Sequence, residues 1–376
     1  MNICIIGKHE PAYSETFIRA HIEKLPGKIS FLHGSAFPDK KEKKKNLLKL
    51  WEKYIQIFGR KFGKEHYFMA RRALRLFLKN HKIDVVLAEY GHTGASIFNI
   101  CEKMNIPLVV HFHGYDAYEN TILDNFKNQY AEMFKKASAI IGVSKHMINQ
   151  LKNLGAPNEK LFYNVYGVDT KIFKQAFPSK NPPVLLAVGR FVDKKAPFLT
   201  ILAFEKVLKE IPKSKLKMIG DGYLLDTCKR LVKSLGISNS VDFLPPQPHE
   251  SIAKEMNKAR AFVQHSVTPF HGDSEGTPVS ILEASVTGLP VISTYHAGIP
   301  DVIENEKSGL LVPEGDFKAM ANNMLRILKN PKLAEEMGKY GRKKNSGRFS
   351  IENSINNLSE VLIFAVKYSK TAMAHK

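Results

Sequence analysis

Short apolar runs recur along the chain, and helical patterns separate them. Runs that lack alternation with polar residues are typical of strands buried on both faces of a parallel sheet. Strands that alternate with helices predict βαβ units, so we predict an α/β fold with parallel sheets. The predicted strands are residues 3–7, 84–88, 107–112, 139–144, 184–189, 215–220, 241–244, 261–263 and 290–293.

A proline-rich polar segment, residues 177–183, interrupts this pattern, which then starts again. We therefore expect two Rossmann-like domains, at residues 1–176 and 184–348, joined by 177–183 as a linker. Residues 349–376 are expected to form a C-terminal helix and tail that pack back on the N-terminal domain. Ligands of open parallel sheets bind outside the carboxyl ends of the strands, so the expected site lies in a cleft between two facing domains.

Features that the sequence lacks exclude several kinds of protein. The three cysteines are widely spaced, which argues against a disulfide framework or a zinc ribbon and favours reduced thiols in a cytoplasmic protein. No apolar stretch approaches the ~20 residues that cross a membrane. The first residues also lack the pattern of a signal peptide.

The whole chain has a formal net charge of +20, and the positive charge is concentrated in one segment. Residues 40–82 contain fifteen Lys or Arg against three Glu, interleaved with large apolar residues. A basic amphipathic stretch can dock on anionic lipid, and it can also follow a phosphate backbone. A solvated helical face is the third interpretation, and composition alone does not decide among them.

Two glutamates, Glu275 and Glu283, flank a predicted helix start. Thr277 and Pro278 have the character of an N-cap and N1 pair, and Gly288 predicts the end of a helix over about 278–286. The free N–H groups and positive dipole end between the carboxylates favour an anion. A ligand with a central phosphate and hydroxyls at both ends, such as a nucleotide sugar, has this layout. A capping carboxylate beside a partly buried glutamate is the alternative.

Basic and histidine side chains follow two other predicted strands. Arg190 and Lys195 come after the strand at 184–189, where phosphate would bind, although a solvated basic loop has the same sequence. His113 follows the strand at 107–112 and could hold a sugar hydroxyl. A metal site made by the His-x-His pair with Asp116 is an alternative, whereas paired aspartates for a divalent ion are disfavoured because no D-x-D sequence occurs.

Taken in order along the chain, these motifs resemble the retaining, two-domain glycosyltransferases called family 4, which have the GT-B fold. Residues 14–18, 273–278 and 293–298 are similar to the subset that assembles exopolysaccharide, capsule and colanic-acid-type chains. The motifs that carry the family resemblance are residues 143–145 with 167–169, 188–195, 220–222, the E-x₇-E pair Glu275 and Glu283, 298–301, and 309–313.

The resemblance implies a role for each motif residue. Arg190 and Lys195 would hold the diphosphate and stabilise the departing nucleotide, and His113 would contact the donor sugar near the reacting carbon. Glu275 would bind hydroxyls of the donor sugar, and Glu283 those of the ribose. Other donor-side positions would be Gly220, Gly276, Thr277, Pro278, Val279 and Ser280, and acceptor-side positions would be Ser14, Glu15 and Asp116.

The resemblance also implies the reaction. A retaining, metal-independent hexosyltransferase would move sugar from a UDP- or GDP-linked donor to a glycan or lipid-linked acceptor, without a protein nucleophile or cofactor. Its place would be surface polysaccharide biosynthesis in the cytoplasm, with residues 40–82 as a contact to an anionic membrane and with no nucleic-acid partner. The alternatives are a GT-B nucleotide-sugar epimerase or phosphorylase, and a non-catalytic basic module that binds glycan or nucleic acid.

Overall fold

The computed structural model describes residues 1–9, 15–34, 37–38, 40–41 and 68–374, with side chains described up to residue 369. The chain divides into two compact units. Unit 1 consists of Met1–Val165 and Ser354–Lys376, and unit 2 is Tyr166–Asn353. Ser14 and residues 42–67 of the predicted basic segment lie outside the described residues.

Each unit is built on one sheet. In chain order the described strands are β1 Asn2–Gly7, β2 Lys28–His33, β3 Lys40–Lys41, β4 Val85–Glu89, β5 Leu108–Phe112, β6 Ala139–Gly142, β7 Leu161–Tyr163, β8 Val184–Val188, β9 Lys215–Ile219, β10 Val241–Leu244, β11 Ala261–Val263, β12 Val291–Thr294 and β13 Gly309–Val312.

Helices connect these strands and cover the sheets. The described α-helices are Thr16–Lys24, Phe68–Asn80, Gly91–Lys103, Tyr115–Tyr118, Asn120–Lys136, Lys145–Asn153, Pro197–Glu210, Leu225–Ser234, His249–Lys258, Val279–Thr287, Ile299–Val302, Phe317–Lys329, Pro331–Arg348 and Ile351–Ala374. Within the described residues, no helix is both long enough and apolar enough to cross a lipid bilayer.

The two sheets share one pattern of strand order. The sheet of unit 1 runs β3-β2-β1-β4-β5-β6-β7, and that of unit 2 runs β10-β9-β8-β11-β12-β13. All described pairings are parallel except that of β2 with the two-residue β3. The strand order reverses between β1 and β4 in unit 1 and between β8 and β11 in unit 2, and such switch points are where doubly wound sheets bind ligands.

Every predicted strand is present, within one or two residues at its ends. Burial explains this success, since β1, β4, β5 and β6 are buried along nearly their whole length. The strands that the sequence analysis did not predict are β2, β3, β7 and β13, although β13 is buried along its whole length. The apolar residues of β2 are interrupted by polar ones, and its first half is partly or fully exposed. Strand β7 is an apolar run of only three residues, all partly exposed.

The predicted linker, residues 177–183, lies inside unit 2 rather than between the units. Pro178–Lys180 forms a 3₁₀ turn, and the amide and hydroxyl of Ser179 donate to Glu335 Oε2 at 3.2 and 2.9 Å. Residues just before the linker also belong to unit 2, because the Ala176 amide donates to the Thr287 carbonyl at 2.7 Å. A proline-rich composition therefore marked a packed turn here.

The end of the chain groups with unit 1 from Ser354 onward. Ser354 Oγ donates to the Val165 carbonyl at 2.7 Å, and Asn164 Nδ2 donates to the Ser354 carbonyl at 3.1 Å. The Phe162 and Phe364 rings pack with centroids 5.0 Å apart.

The cysteines Cys4, Cys101 and Cys228, all within the described part of the chain, are free and buried.

A glycine allows two helices of unit 2 to pack closely. Helix Pro331–Arg348 contacts helix Val279–Thr287, and a Cβ added at Gly338 would lie 1.9 Å from the Gly288 carbonyl oxygen. We expect Gly338→Ala to destabilise unit 2 by roughly 1–3 kcal/mol, because the atom it meets belongs to backbone and cannot swing away. Urea denaturation followed by circular dichroism measures the change.

Gly347 is the matched control, because it lies in the same helix and a Cβ there would meet nothing within 4 Å. Gly347→Ala should be neutral or stabilising by up to about 1 kcal/mol, as alanine is the better helix former. Equal effects of the two substitutions would contradict the packing argument.

Candidate functional site

The helix between the two motif glutamates begins one residue later than predicted. It spans Val279–Thr287, and Pro278 rather than Thr277 is its N-cap, with ψ of 118°. The Pro278 carbonyl accepts the first helical hydrogen bonds, from the amides of Ile281 and Leu282. The predicted stop at Gly288 is confirmed, with φ of +88°.

Glu275 is buried and forms an ion pair. Its Oε1 lies 3.0 Å from Lys195 Nζ, which also donates to Gln264 Oε1 at 3.3 Å. Burial alone would raise the pKa of Glu275, but Lys195, Lys194 and His296 outweigh burial and lower the pKa to about 2. Burial lowers the pKa of Lys195, and Glu275 opposes that shift. Two residues predicted from separate motifs thus form one charged pair.

A second lysine, which the sequence analysis missed, holds the same loop. Lys194 is buried, and its Nζ lies 2.9 Å from Asp273 Oδ1 and donates to the Ser274 carbonyl at 3.2 Å. Lys194 and Lys195 belong to a 3₁₀ turn that ends at Ala196, whose φ is +33°. The residue pair was visible in the sequence, but two adjacent lysines gave no sign that the first one is buried.

A buried histidine that the sequence analysis did not predict, His296, holds the loop that carries Glu275. His296 Nε2 accepts the Glu275 amide proton at 3.2 Å, so His296 Nδ1 carries the proton shared with Glu314 Oε1 at 2.6 Å. The Thr268 amide donates to Glu314 Oε2 at 2.8 Å. Burial would raise the pKa of Glu314, but the hydrogen bonds from His296 and Thr268 lower it. The loop that presents Glu275 is therefore fixed on two sides.

Glu283 is buried on the second turn of its helix and has a histidine partner. His249 Nδ1 lies 2.8 Å from Glu283 Oε1, and the ring of Phe173 packs edge-on to His249 at 5.9 Å. Burial raises the pKa of Glu283, and His249 opposes that shift. Nothing in the local sequence links positions 249 and 283, so this pairing was not predictable.

A small pocket lies at the switch point of the sheet in unit 2. It is lined by residues at the carboxyl ends of β8, β9 and β11, including Gly189, Arg190, Lys195 and Gln264. Arg190 is exposed, and Ser280 Oγ donates to Gln264 Oε1 at 3.3 Å. The structure therefore brings Arg190, Lys195 and Glu275 together, with Ser280 joined to them through Gln264.

Gly220 allows the backbone after β9 to approach the backbone after β8 closely. Its φ is +149°, and a Cβ there would lie 2.0 Å from the Gly189 carbonyl oxygen. Its amide donates to the Leu244 carbonyl at 3.0 Å. The other predicted donor-side positions, Gly276 and Thr277, are buried, and the Gly276 carbonyl accepts from the Gly298 amide at 3.0 Å.

In unit 1, His113 belongs to a buried network centred on Glu89. His21 Nδ1 lies 2.7 Å from Glu89 Oε1, and His113 Nε2 lies 2.7 Å from Glu89 Oε2. Burial would raise the pKa of Glu89, but the charge of His21 and hydrogen bonds from both histidines hold it well below its usual range. Neither Glu89 nor His21 was predicted, because they lie 24 and 92 positions from His113.

Asp116, named with the His-x-His pair as a possible metal ligand, serves the backbone instead. Its Oδ2 accepts the Gly91 amide at 2.8 Å, and its Oδ1 accepts those of His113 and Gly114 at 3.0 and 2.9 Å. Among the described residues, the group with metal-ligand spacing is His21, Glu89 and His111. Both Glu89 oxygens already accept hydrogen bonds from histidines there.

Glu15, predicted on the acceptor side, lies at the start of helix Thr16–Lys24. Its Oε1 accepts from the Tyr90 hydroxyl at 2.5 Å, and its Oε2 lies 3.4 Å from His9 Nδ1. Tyr90 has φ of +76°, a conformation that costs energy for a non-glycine residue and often occurs at functional sites. Ser14 lies outside the described residues.

Two family models match the chain. The model described as Glycosyl transferases group 1 matches residues 168–344, and the model described as Glycosyltransferase Family 4 matches residues 30–172. Together they cover residues 30–344, which include most of each unit and all the motifs of unit 2 that the sequence analysis singled out.

Individual relatives agree with the family models. WcaL of Escherichia coli K12, a glycosyltransferase named for colanic acid biosynthesis, is 29% identical over 65% of this chain and 61% of its own. AmsK of Erwinia amylovora, named for amylovoran biosynthesis, is 29% identical over 74% of this chain and 70% of its own. The chain thus spans less than two thirds of the length of the E. coli relative.

A solved structure supports the fold. HepE of Anabaena, determined in complex with UDP, matches this chain with a TM-score of 0.75 at 16% identity, over 96% of this chain and 99% of its own. At this identity the likeness concerns the fold, and the predicted GT-B fold class is confirmed.

The network around Glu89 makes a prediction about stability. Glu89→Gln should destabilise unit 1 by roughly 3–5 kcal/mol, because it removes the charge that two buried histidines share. Since the folded-state pKa is lowered, the contribution of Glu89 is complete above about pH 4.3 and is lost as the pH falls through the folded-state pKa. Hydrogen exchange of the β4 and β5 amides at several pH values measures this effect.

Glu102→Gln is the control, since Glu102 pairs with Lys136 at 2.5 Å on the surface of the same unit. Exposed ion pairs contribute about 0–1 kcal/mol, so exchange should change little. Equal protection in wild type and Glu89→Gln at neutral pH would refute the network's importance.

Proposed function

The chain belongs to the family 4 glycosyltransferases (glycosyl transferases group 1), as its motifs predicted, and we propose that it transfers a sugar from a nucleotide-linked donor. The donor is a UDP- or GDP-sugar, and the acceptor is a glycan or a lipid-linked glycan. The names of WcaL and AmsK support a place in surface polysaccharide assembly. The reaction takes place in the cytoplasm.

The observation that carries this proposal is the buried pair of Lys195 and Glu275 beside Arg190. A pocket at a sheet's switch point is where a nucleotide binds in this architecture. Arg190 offers a planar fork and Lys195 a point charge, and both suit a diphosphate. Glu275 and Glu283 are buried acceptors of the kind that bind sugar and ribose hydroxyls.

Fixed positive charge takes the place of a metal ion in this proposal. Charge develops on the leaving diphosphate in the transition state, and preorganised donors in a desolvated site stabilise it without reorganising. Lys195 is already held at 3.0 Å from Glu275 and at 3.3 Å from Gln264, so its ammonium does not have to be ordered when the donor binds.

Glu275 binds the donor sugar and does not attack it. Its pKa of about 2 keeps the carboxylate ionised, so it accepts hydrogen bonds from hydroxyls and is too weak a base to take the acceptor proton. Its charge is already engaged by Lys195 at 3.0 Å, which supports a binding role. Retention then comes from reaction on one face of the sugar, where the leaving phosphate takes the acceptor proton. A role for His113 near the reacting carbon stays a prediction.

One face of helix Phe68–Asn80 supports contact with a membrane. Phe68 and Leu76 are exposed, at 63% and 47%, and Arg72, Arg75 and Lys79 are exposed on the same helix. Large apolar side chains among basic ones bind anionic lipid through burial and charge together. This face belongs to the described part of the basic segment, and it suits a protein that works on a lipid-linked acceptor.

Replacing the exposed arginine tests the catalytic proposal. Arg190→Ala should lower kcat roughly a hundredfold or more, because one charged donor to the leaving diphosphate contributes about 3–4 kcal/mol to the transition state. The measurement is nucleotide release from saturating UDP- and GDP-sugars, with an acceptor extract present and EDTA added. Arg326→Ala is the control, because Arg326 pairs with Glu306 on the surface of the same unit.

Three results would contradict parts of the proposal. A near-normal kcat of Arg190→Ala would show that Arg190 does not stabilise the leaving group. Loss of wild-type activity in EDTA would show that the reaction needs a metal ion. Release of free sugar or sugar phosphate as the main product, with no acceptor needed, favours an epimerase or phosphorylase.

Vesicle flotation tests the membrane contact. The double variant Arg72→Gln/Arg75→Gln should bind phosphatidylglycerol-containing vesicles about thirtyfold more weakly, at about 1 kcal/mol per basic residue near the surface. Phe68→Ser/Leu76→Ser should also weaken binding. Ile363→Ser is the matched control, since Ile363 is exposed on another helix of unit 1, and equal flotation of all forms would reject the proposal.

A further inference from the structure

A pocket in unit 1 lies at the switch point of its sheet. Its walls include Lys8 after β1, Phe37 after β2, His92 in the helix after β4, and Phe126 in helix Asn120–Lys136. The strand order reverses between β1 and β4, and the carboxyl ends of strands at such a point form a ligand crevice. The position therefore indicates a binding site in unit 1.

His92 supplies an independent sign of a ligand. The residue is 8% exposed, and within the described residues neither ring nitrogen has a hydrogen-bond partner. A buried polar group without a partner costs about 1–3 kcal/mol, so such groups are rare in folded proteins. A ligand in the pocket would provide the missing partner.

The charge state of His92 restricts what that ligand can be. Burial lowers the pKa of His92 to about 4, and Lys8, His113 and His9 lower it as well, while Asp116 opposes them. The imidazole is therefore neutral near pH 7, with one N–H donor and one lone-pair acceptor. A hydroxyl both donates and accepts and matches this ring, whereas a carboxylate cannot donate to the lone pair.

Aromatic rings surround this imidazole. The ring centroids of Tyr90, Tyr115 and Phe126 lie 5.6, 5.7 and 6.0 Å from that of His92. Thr93 and Ser96 add hydroxyls to the pocket wall. Of these three rings, that of Phe126 lines the pocket, and the ring of Phe37 lines it as well. Their flat apolar faces, combined with a few neutral donors and acceptors, fit the C–H faces and hydroxyls of a sugar ring.

We propose that this pocket binds an uncharged sugar ring of the acceptor and that His92 recognises one of its hydroxyl groups. The inference rests on the proposed transferase function and adds the chemical class of the acceptor. Lys8 is the one cation of the pocket wall among the described residues, and its Nζ lies 6.0 Å over the Tyr115 ring.

Saturation-transfer NMR on the full chain tests the site with defined probes. The probes are the methyl glycosides of glucose, galactose and mannose, and the methyl glycoside of glucuronic acid as the acidic counterpart. UDP and GDP are present to occupy the donor pocket. Wild type should transfer saturation to at least one neutral glycoside more strongly than to the acidic one, with little change between about pH 5.5 and 8, where His92 stays neutral.

Two variants show whether His92 is responsible. His92→Phe keeps an aromatic ring but has no polar atom, so the signal of the neutral glycoside should fall at least tenfold. His92→Gln keeps one donor and one acceptor and should retain most of the signal. The melting temperature of each variant shows whether it is folded.

The outcomes separate this inference from the proposed function. Equal signals in wild type and His92→Phe, preference for the acidic glycoside, or no signal for any glycoside would overturn the inference. Donor turnover decides the proposed function separately: if nucleotide release persists while the glycosides fail to bind, the transferase stands without this pocket. If no nucleotide sugar is consumed, the proposed function fails first.

Discussion

A carboxylate can be buried only if a positive or donating group meets it, and this constraint organises the chemistry of both units. Glu275 is matched by Lys195 at 3.0 Å, Glu283 by His249 at 2.8 Å, and Glu89 by two histidines at 2.7 Å. Desolvation makes each pair costly to break. Each pair therefore fixes the loop, helix or strand end that carries its carboxylate, and a ligand at these sites would contact side chains that are already held in place.

The same constraint explains which parts of the site could be predicted. Glu275 and Glu283 could be recognised because two carboxylates around a helix start, all within nine residues of sequence, indicate a site for a ligand with a phosphate. Their pairings did not, because Lys195 and His249 lie 80 and 34 positions away, although Lys195 itself was predicted from another motif. His296 and Glu314, which fix the loop of Glu275, gave no local signal. Pairing between distant residues depends on the fold and is not encoded in any one segment.

The fold itself was far more predictable, and β6 and β7 show why. Strand β6 is buried on both faces, so its apolar run identifies it directly. Strand β7 lies at the sheet edge as an apolar run of only three residues, all partly exposed, and so short a run does not by itself distinguish a strand. The segment 177–183 gave the opposite error, because proline and polar residues occur in linkers and in packed turns alike. Its hydrogen bonds to Glu335 place it in the second class.

The two pockets occupy equivalent switch points, but the pocket of unit 2 is lined in part by charged side chains and that of unit 1 mainly by neutral ones. The pocket of unit 2 contains charges that are already desolvated and fixed, which suits a diphosphate whose charge grows as the bond breaks. The pocket of unit 1 holds a neutral imidazole among aromatic rings. An anionic donor would gain little there, because it would lose its hydration without meeting a compensating cation network. Charge alone can therefore direct a nucleotide sugar to one sheet and an uncharged sugar to the other, before any detailed fit is considered.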